Sequence, residues 1–187
     1  MSNDTIVQIE DLHIEFSTPR GVVHAVDGIN IEIKKGQIYG IVGESGCGKT
    51  VTGKAILQLV PSPGKIRGGQ ILFHGEDLVR KSEKEMQKLR GRRIAMVFQD
   101  PTAALNPLFT IGDQLMGIMK HHNIAEGDDL QYRAVEIMGD LGLPRPKDIL
   151  NAYPHQLSGG MQQRAMIAMA LSAKPDLIVA DEPTSAL

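Results

Sequence analysis

Eight residues in the first third of the chain have the types and spacing of a phosphate-binding loop. Residues 43–50 read Gly-Glu-Ser-Gly-Cys-Gly-Lys-Thr and follow the apolar run 38–42, which predicts a strand buried on both faces. Glycines let the backbone curl until successive N–H groups point at phosphate oxygens. We expect Lys49 to meet the β- and γ-phosphates, Thr50 to offer its hydroxyl to Mg²⁺, and a helix starting near Thr50 to favour the anion. The predicted nucleoside triphosphate contacts are Gly43, Glu44, Ser45, Gly46, Cys47, Gly48, Lys49, Thr50 and Val51; the alternative is a glycine-rich turn without a ligand.

Two carboxylates end a second apolar run. Residues 176–182 read Asp-Leu-Ile-Val-Ala-Asp-Glu, which predicts another buried strand. At the carboxyl end of a parallel strand, Asp181 can hold the Mg²⁺ shell and Glu182 can act as a base on the water that attacks the γ-phosphate. The alternative is an ordinary exposed turn before Pro183.

A third segment predicts a capped helix. Residues 157–164 read Leu-Ser-Gly-Gly-Met-Gln-Gln-Arg and open a helical pattern that runs to about Ala173 and stops before Pro175. Ser158 can cap this helix, and Gly159 and Gly160 let a phosphate approach the backbone N–H groups. The segment is either a second phosphate-binding surface or a capped helix without a ligand.

A glutamine stands between these motifs. Residues 96–101 read Met-Val-Phe-Gln-Asp-Pro, a short strand followed by a turn. The neutral amide of Gln99 can touch Mg²⁺ or the attacking water while its flanking loop moves, which suits a sensor of the γ-phosphate.

In order and in sequence, these motifs resemble those of ATP-binding-cassette (ABC) ATPases, with residues 157–164 similar to the signature motif. The resemblance implies a P-loop α/β fold with a parallel core sheet, an antiparallel β layer and an α-helical subdomain. It implies ATP and Mg²⁺ as ligands, with Lys49, Gln99 and Glu182 as catalytic residues and Thr50, Gln99 and Asp181 at the metal. It also implies a head-to-tail dimer with a second ATP-binding subunit, whose nucleotide would meet Ser158, Gly159, Gly160 and Gln162.

Flanking residues resemble one subfamily. Residues 98–107, 153–157 and 166–171 are similar to ATPase subunits of oligopeptide, dipeptide and nickel importers, and the resemblance spans essentially the whole chain. It implies membrane permease partners that contact the helical subdomain and, through them, an extracellular binding protein. The cargo, and whether the dimer is homo- or heteromeric, stay open.

The family also places an aromatic ring against adenine. Phe16 is the best match, because Leu12, Ile14 and Phe16 alternate with polar residues on a half-buried strand. His24 is an alternative, and core packing of Phe16 is another.

The amino-acid composition limits the classes of protein to which the chain can belong. The chain has 42% hydrophobic and 22% charged residues, net charge −2 and a single cysteine, so no disulfide can form within it. There is no signal peptide, and no apolar run approaches the ~20 residues of a membrane helix. Near-neutral charge without a basic stripe gives no support for nucleic-acid binding. Composition thus fits a soluble cytoplasmic protein, and the resemblance to importer ATPases implies that it lies on the cytoplasmic face of the membrane as a peripheral subunit.

The rest of the chain positions these motifs. Residues 5–16, 22–33 and 70–74 predict antiparallel strands, residues 51–60 and 81–89 predict helices, and residues 102–172 form a helical pattern. Apolar residues fall at helical spacing at Ile111, Leu115, Ile118 and Met119 and at Tyr132, Val135, Met138 and Leu141. We assign 1–101 and 173–187 to an ATP-binding core and 102–172 to a helical subdomain of one domain. The segment Asp100–Leu115 is either the surface that couples to the permease or an ordinary linker.

The resemblance to ABC ATPases covers only the motifs up to Leu187. The chain stops at Leu187, before the aspartate, strand and switch histidine that follow in the family. We therefore expect a truncated subunit that folds poorly alone or closes its sheet in another way. The alternatives to an importer ATPase are a non-catalytic nucleotide-binding module and an ABC ATPase without membrane partners.

Overall fold

The computed structural model describes residues 4–183, and these divide into two compact units with the boundary between Gln87 and Lys88. Residues 184–187, where the resemblance ends, lie outside the described part. Up to the boundary the elements are β1 (Thr5–Thr18), β2 (Gly21–Lys34), α1 (Lys49–Ile56), β3 (Gly64–Phe73), β4 (Glu76–Asp77) and α2 (Glu83–Leu89), which crosses it. The predicted division of one domain at 101/102 and 172/173 stays a prediction.

The first unit is built on an antiparallel sheet with strand order β2-β1-β3-β4. Alternating apolar residues place Val7 and Ile9 in the core, and Leu12 and Ile14 resume the pattern one residue out of phase. A bulge causes this slip: Asp11 has φ +46°, and the register with both neighbouring strands shifts there. The predicted antiparallel layer is confirmed, with longer strands than the sequence indicated.

The predicted strand at residues 38–42 is wrong. These residues have no regular structure, and the side chains of Ile38 and Val42 are 99% and 97% exposed. An apolar run becomes a strand only when neighbours accept its backbone hydrogen bonds, and no strand among residues 4–183 pairs with it.

The helix after the phosphate-binding loop is shorter than predicted. It spans Lys49–Ile56 rather than 51–60, because Gln58 turns the chain with φ +52°. The side-chain amide of Gln58 then donates to the carbonyls of Leu78 and Lys81, which ties the end of α1 to the segment after β4.

The second unit joins a short parallel sheet to a helical cluster. Its elements are β5 (Ile94–Val97), α3 (Pro101–Ala104), α4 (Ile111–His121), α5 (Asp128–Asp140), α6 (Pro146–Leu150), a 3₁₀ turn (Pro154–Gln156), α7 (Gly159–Leu171) and β6 (Leu177–Ala180). β5 pairs with β6 in parallel, from Ile94 opposite Leu177 to Val97 opposite Ala180. β5 is buried throughout, whereas the predicted burial of the 176–182 run is only partly met, since Ile178 is exposed.

The helical cluster has its own apolar core. Thr110 and Asp113 form a reciprocal capping box that starts α4, and Ile111, Leu115 and Met119 are buried along one face. On α5 the buried residues are Ala134 and Met138. Tyr132, predicted to share this face, is exposed, because the core-facing stripe of α5 runs through Ala134 instead. None of the helices in residues 4–183 is long and apolar enough to cross a membrane.

A histidine lies between two carboxylates on the bulged strand. His13 Nδ1 is 2.9 Å from Asp27 Oδ1, and His13 Nε2 is 3.0 Å from Asp11 Oδ1. The hydrogen bond to Asp11, with a further one to Asp27, raises the pKa of His13 above its ordinary value, against a smaller opposing effect of desolvation. Both carboxylates are satisfied only when both ring nitrogens carry protons.

We predict that this cluster makes stability depend on pH. Because the pKa of His13 is raised in the folded state, its stabilising effect is full below the unfolded pKa and is lost as pH rises through the folded pKa. The difference in unfolding free energy between the wild type and His13→Gln should therefore be larger at pH 5.5 than at pH 8.5, measured by urea denaturation. The same comparison in an Asp11→Asn, Asp27→Asn background should show little pH dependence; a pH-independent difference in the unmodified background would contradict the prediction.

Candidate functional site

The phosphate-binding loop leads directly into α1 through a left-handed glycine. Gly48 is the N-cap residue with φ +92°. A Cβ on Gly48 would lie 2.3 Å from the carbonyl oxygen of Ala25 on β2, and one on Gly43 would lie 2.7 Å from Cys47 Sγ. The loop therefore packs so closely on the backbone of β2 that glycine is required at position 48, whereas a Cβ at position 43 would displace the Cys47 thiol.

Lys49 is held by the loop that it follows. Its Nζ donates to the carbonyl oxygens of Gly43 and Glu44, each at 2.7 Å, and lies 3.7 Å from Cys47 Sγ. The ammonium group therefore lies against the curved backbone of the loop. At Gly46, in the same loop, no atom lies within 4 Å of the position of an added Cβ. Oxygen atoms of a phosphate can replace these carbonyls as hydrogen-bond acceptors, with the gain of a charge-assisted contact.

A cavity of about 500 Å³ opens beside this loop. Its walls come from β2, where His24 and Val26 contribute, and from Cys47, Lys49 and Thr52 around the start of α1. Its volume suits a small ligand. Sequence reasoning assigned only His24 of β2 to the site, because strand alternation does not reveal which strand borders the loop.

The two candidates for the adenine ring have different surroundings. His24 lines the cavity and pairs with Glu15, at 3.3 Å between Nδ1 and Oε1. The Phe16 ring packs on Gly64 of β3, where an added Cβ would lie 2.6 Å from a ring carbon. Phe16 is half-buried, so packing on Gly64 accounts for only part of its ring, and both its role against adenine and the alternative of core packing stay predictions.

In the second unit, the paired strands bring two predicted catalytic residues together. Val97 lies opposite Ala180, and the Asp181 N–H continues the ladder by donating to the Val97 carbonyl at 3.0 Å. Just beyond, Gln99 Nε2 donates to Glu182 Oε2 at 2.6 Å. The amide that was expected to sense the γ-phosphate thus contacts the carboxylate that was expected to act as base.

The predicted capped helix is present as α7. Ser158 is its N-cap, and its Oγ accepts from the Met161 N–H at 3.4 Å. A Cβ at Gly159 would meet nothing within 4 Å, so the backbone there is open to a ligand. Ser158 and Gly160 also border a cavity of about 320 Å³. These features suit an anion at the start of a 13-residue helix.

The side chain of Gln162 is used inside the unit. It is buried, its Nε2 donates to the carbonyls of Pro154 and Leu157, and its Oε1 accepts from Thr102 Oγ1 at 3.1 Å. Its predicted contact with nucleotide stays a prediction. Nothing in the sequence indicates this internal use, because a glutamine on a helix is most often exposed.

Oxygen donors suited to Mg²⁺ stand at the predicted positions. Asp181 and Thr50 supply a carboxylate and a hydroxyl, and Gln99 supplies an amide oxygen, all hard ligands. No group of three or more His, Cys, Asp or Glu side chains within residues 4–183 could form a metal cage. Mg²⁺ is commonly held by one or two carboxylates together with phosphate and water, and within the second unit Asp181 is the carboxylate of this kind.

Comparison with known proteins identifies relatives over nearly the whole length. Residues 26–185 match the family model described as ABC transporter. The oligopeptide transport ATP-binding protein OppD of Bacillus subtilis is 48% identical over 183 residues, which is 97% of this chain and 51% of that protein. The dipeptide transport ATP-binding protein DppD of Escherichia coli is 44% identical over 97% of this chain and 56% of its own length. The chain thus spans about half the length of the curated relatives it matches.

Solved structures share the fold. The dimeric structure of MJ0796, a bacterial ABC transporter cassette, aligns with a TM-score of 0.87 at 29% identity, over 97% of this chain and 76% of that one. A dimeric MJ0796 in a post-hydrolysis state bound to ADP and Pi aligns with the same score and coverage. These matches confirm the predicted cassette fold.

We predict that Gly48→Ala destabilises the first unit through steric conflict as well as through φ. The control is Gly75→Ala, because Gly75 has a similar φ of +82° but no atom within 4 Å of an added Cβ. The free energy of unfolding of the control should fall by about 1 kcal/mol, from backbone strain alone. For Gly48→Ala, the free energy of unfolding measured with urea should fall by about 2–4 kcal/mol. An equal decrease in the two variants would contradict the close packing of the loop on β2.

Proposed function

Because the chain belongs to the ABC transporter family, we propose that it binds and hydrolyses ATP to drive an importer of oligopeptides or dipeptides. The observation that carries the proposal is the 2.6 Å contact between Gln99 and Glu182 at the ends of two paired parallel strands. The peptide assignment rests on the OppD and DppD relatives.

The phosphate end of ATP is assigned to the first unit. The curled backbone of residues 43–48 offers N–H groups, and Lys49 exchanges its two carbonyl acceptors for phosphate oxygens. The dipole of α1 adds a favourable field at the same point. The adjacent cavity is proposed for the nucleoside, with His24 on its wall and Phe16 as the alternative stacking residue.

The hydrolytic chemistry is assigned to the strand ends of the second unit. Glu182 accepts a proton from the attacking water, and Gln99, which donates to that carboxylate, senses whether a γ-phosphate is present. Asp181 would serve as the Mg²⁺ ligand of this unit, and Thr50, which follows the phosphate-binding loop of the first unit, is proposed as a further Mg²⁺ ligand. Bound Mg²⁺ would neutralise charge on the phosphate oxygens.

A second ATP-binding subunit is the proposed partner at α7. The open backbone at Gly159 and the cap at Ser158 suit the phosphates of a nucleotide held by that subunit, in a head-to-tail pair. The dimeric MJ0796 cassettes support this assembly.

The loop between α3 and α4 is proposed as the contact with membrane permease subunits, through which an external binding protein is reached. Leu108 and Phe109 are 79% and 52% exposed on it. Gln114 keeps the loop in place, because its Nε2 donates to the carbonyls of Asn106 and Phe109. An apolar pair on a fixed loop suits a protein contact. The chain would then lie on the cytoplasmic face of the membrane as a peripheral subunit.

We predict that two substitutions separate binding from turnover. Lys49→Ala should weaken ATP binding by about tenfold or more, because it removes a charge-assisted phosphate contact. Glu182→Gln should bind ATP with near wild-type affinity while kcat falls about 10²–10⁴-fold, because the amide cannot accept a proton. Binding is measured by equilibrium dialysis and turnover by phosphate release.

The control is Glu136→Gln, which makes the same change on the exposed face of α5 and should behave as wild type. Wild-type turnover in Glu182→Gln would exclude Glu182 as the base. The absence of ATP binding by the wild type would contradict the proposed function as a whole.

We predict an ATP-dependent dimer. Glu182→Gln with ATP and Mg²⁺ should double its mass by light scattering, and adding Ser158→Arg should keep it monomeric, because a bulky cation would occupy the start of α7. Gln131→Arg, on the exposed side of α5, is the matched control and should leave the dimer intact. A dimer that persists with Ser158→Arg would rule out α7 as the contact.

A further inference from the structure

One polar side chain on α7 is fully buried with an unusual bonding pattern. Gln163 is 0% exposed, and its Nε2 donates to the Pro183 carbonyl at 2.9 Å. Its Oε1 has no hydrogen-bond partner among residues 4–183. The Pro183 carbonyl can only accept, so the amide must turn its nitrogen toward it.

This bond lies next to a strained residue. Glu182 has φ +45°, in the left-handed region, although the residue before a proline favours extended backbone. The chain is fastened on both sides of Glu182: the Asp181 N–H donates to Val97, and Pro183 accepts from Gln163. A costly conformation persists only where its surroundings hold it in this way.

Packing alone does not account for a glutamine here. A leucine of similar size would fill the same space and would not bury an oxygen without a partner, which is costly. We therefore attribute the presence of an amide at this position to its hydrogen bond with Pro183, the residue that follows Glu182.

We propose that Gln163 is a positioning residue for Glu182. By fixing Pro183 it holds the left-handed turn, and the turn directs the Glu182 carboxylate to Gln99. This inference rests on the proposed function, in which Glu182 receives the proton of the attacking water. Gln163 itself touches neither nucleotide nor water in this assignment.

The test compares Gln163→Leu and Gln163→Glu with wild type in the 187-residue chain. In Gln163→Leu, kcat for ATP should fall about tenfold or more while KM changes less than about twofold, because the base is displaced and the phosphate-binding loop is untouched. Met138→Ala, a buried substitution in the helical core, is the control for lost stability.

Gln163→Glu supplies a pH signature. Its buried carboxyl can donate to Pro183 only when protonated, and burial raises its pKa. Its kcat relative to wild type should therefore rise as pH falls from about 8.5 to 6. A flat ratio, or a kcat in Gln163→Leu within twofold of wild type, would overturn the proposal.

Hydrogen exchange separates this inference from the proposed function. The amides of residues 177–182 should exchange faster in Gln163→Leu than in wild type and Met138→Ala, because the turn after β6 loses its tether. If exchange is faster in Gln163→Leu but the wild type does not hydrolyse ATP, the ATPase proposal fails while the role of Gln163 in holding the turn is kept. Unchanged exchange would overturn the positioning role whatever the turnover.

Discussion

The hydrogen-bonded register of β5 with β6 is the constraint on which the hydrolytic residues depend. Four residues pair on each strand, and the Asp181 N–H adds one further bond to Val97. A slip of one residue would turn the side chains of one strand to the opposite face of the pair and would shift the turn that follows it. The pairing therefore decides that Gln99 and Glu182 meet, although they are 83 positions apart in the sequence.

Motifs defined by local backbone chemistry could be read from the sequence. The loop at 43–48 and the cap at Ser158 each depend on a few adjacent residues. The antiparallel layer was also readable, because hairpin strands pair with near neighbours. The sequence was less informative on the bulge at Asp11, since only the change in alternation marks it.

Features that depend on distant neighbours could not be read. The run 38–42 has the composition of a buried strand, yet the described residues provide no partner for it. Gln162 and Gln163 look alike on the helix, and only the structure shows that one ties α7 to the turn before it while the other reaches Pro183.

The hydrogen bonds between Lys49 and the loop carbonyls affect how a substitution of Lys49 is interpreted. Replacing the lysine removes a positive charge from the phosphates, but it also removes the tether between residue 49 and the backbone of Gly43 and Glu44. A loss of affinity in such a variant combines weaker attraction with a loosened cradle. Arginine keeps the charge, but its donor group is planar and forked instead of a compact ammonium. Its geometry therefore differs from that of the two bonds that Lys49 makes to the loop carbonyls. The lysine is thus part of the architecture of the loop as well as a ligand for the anion.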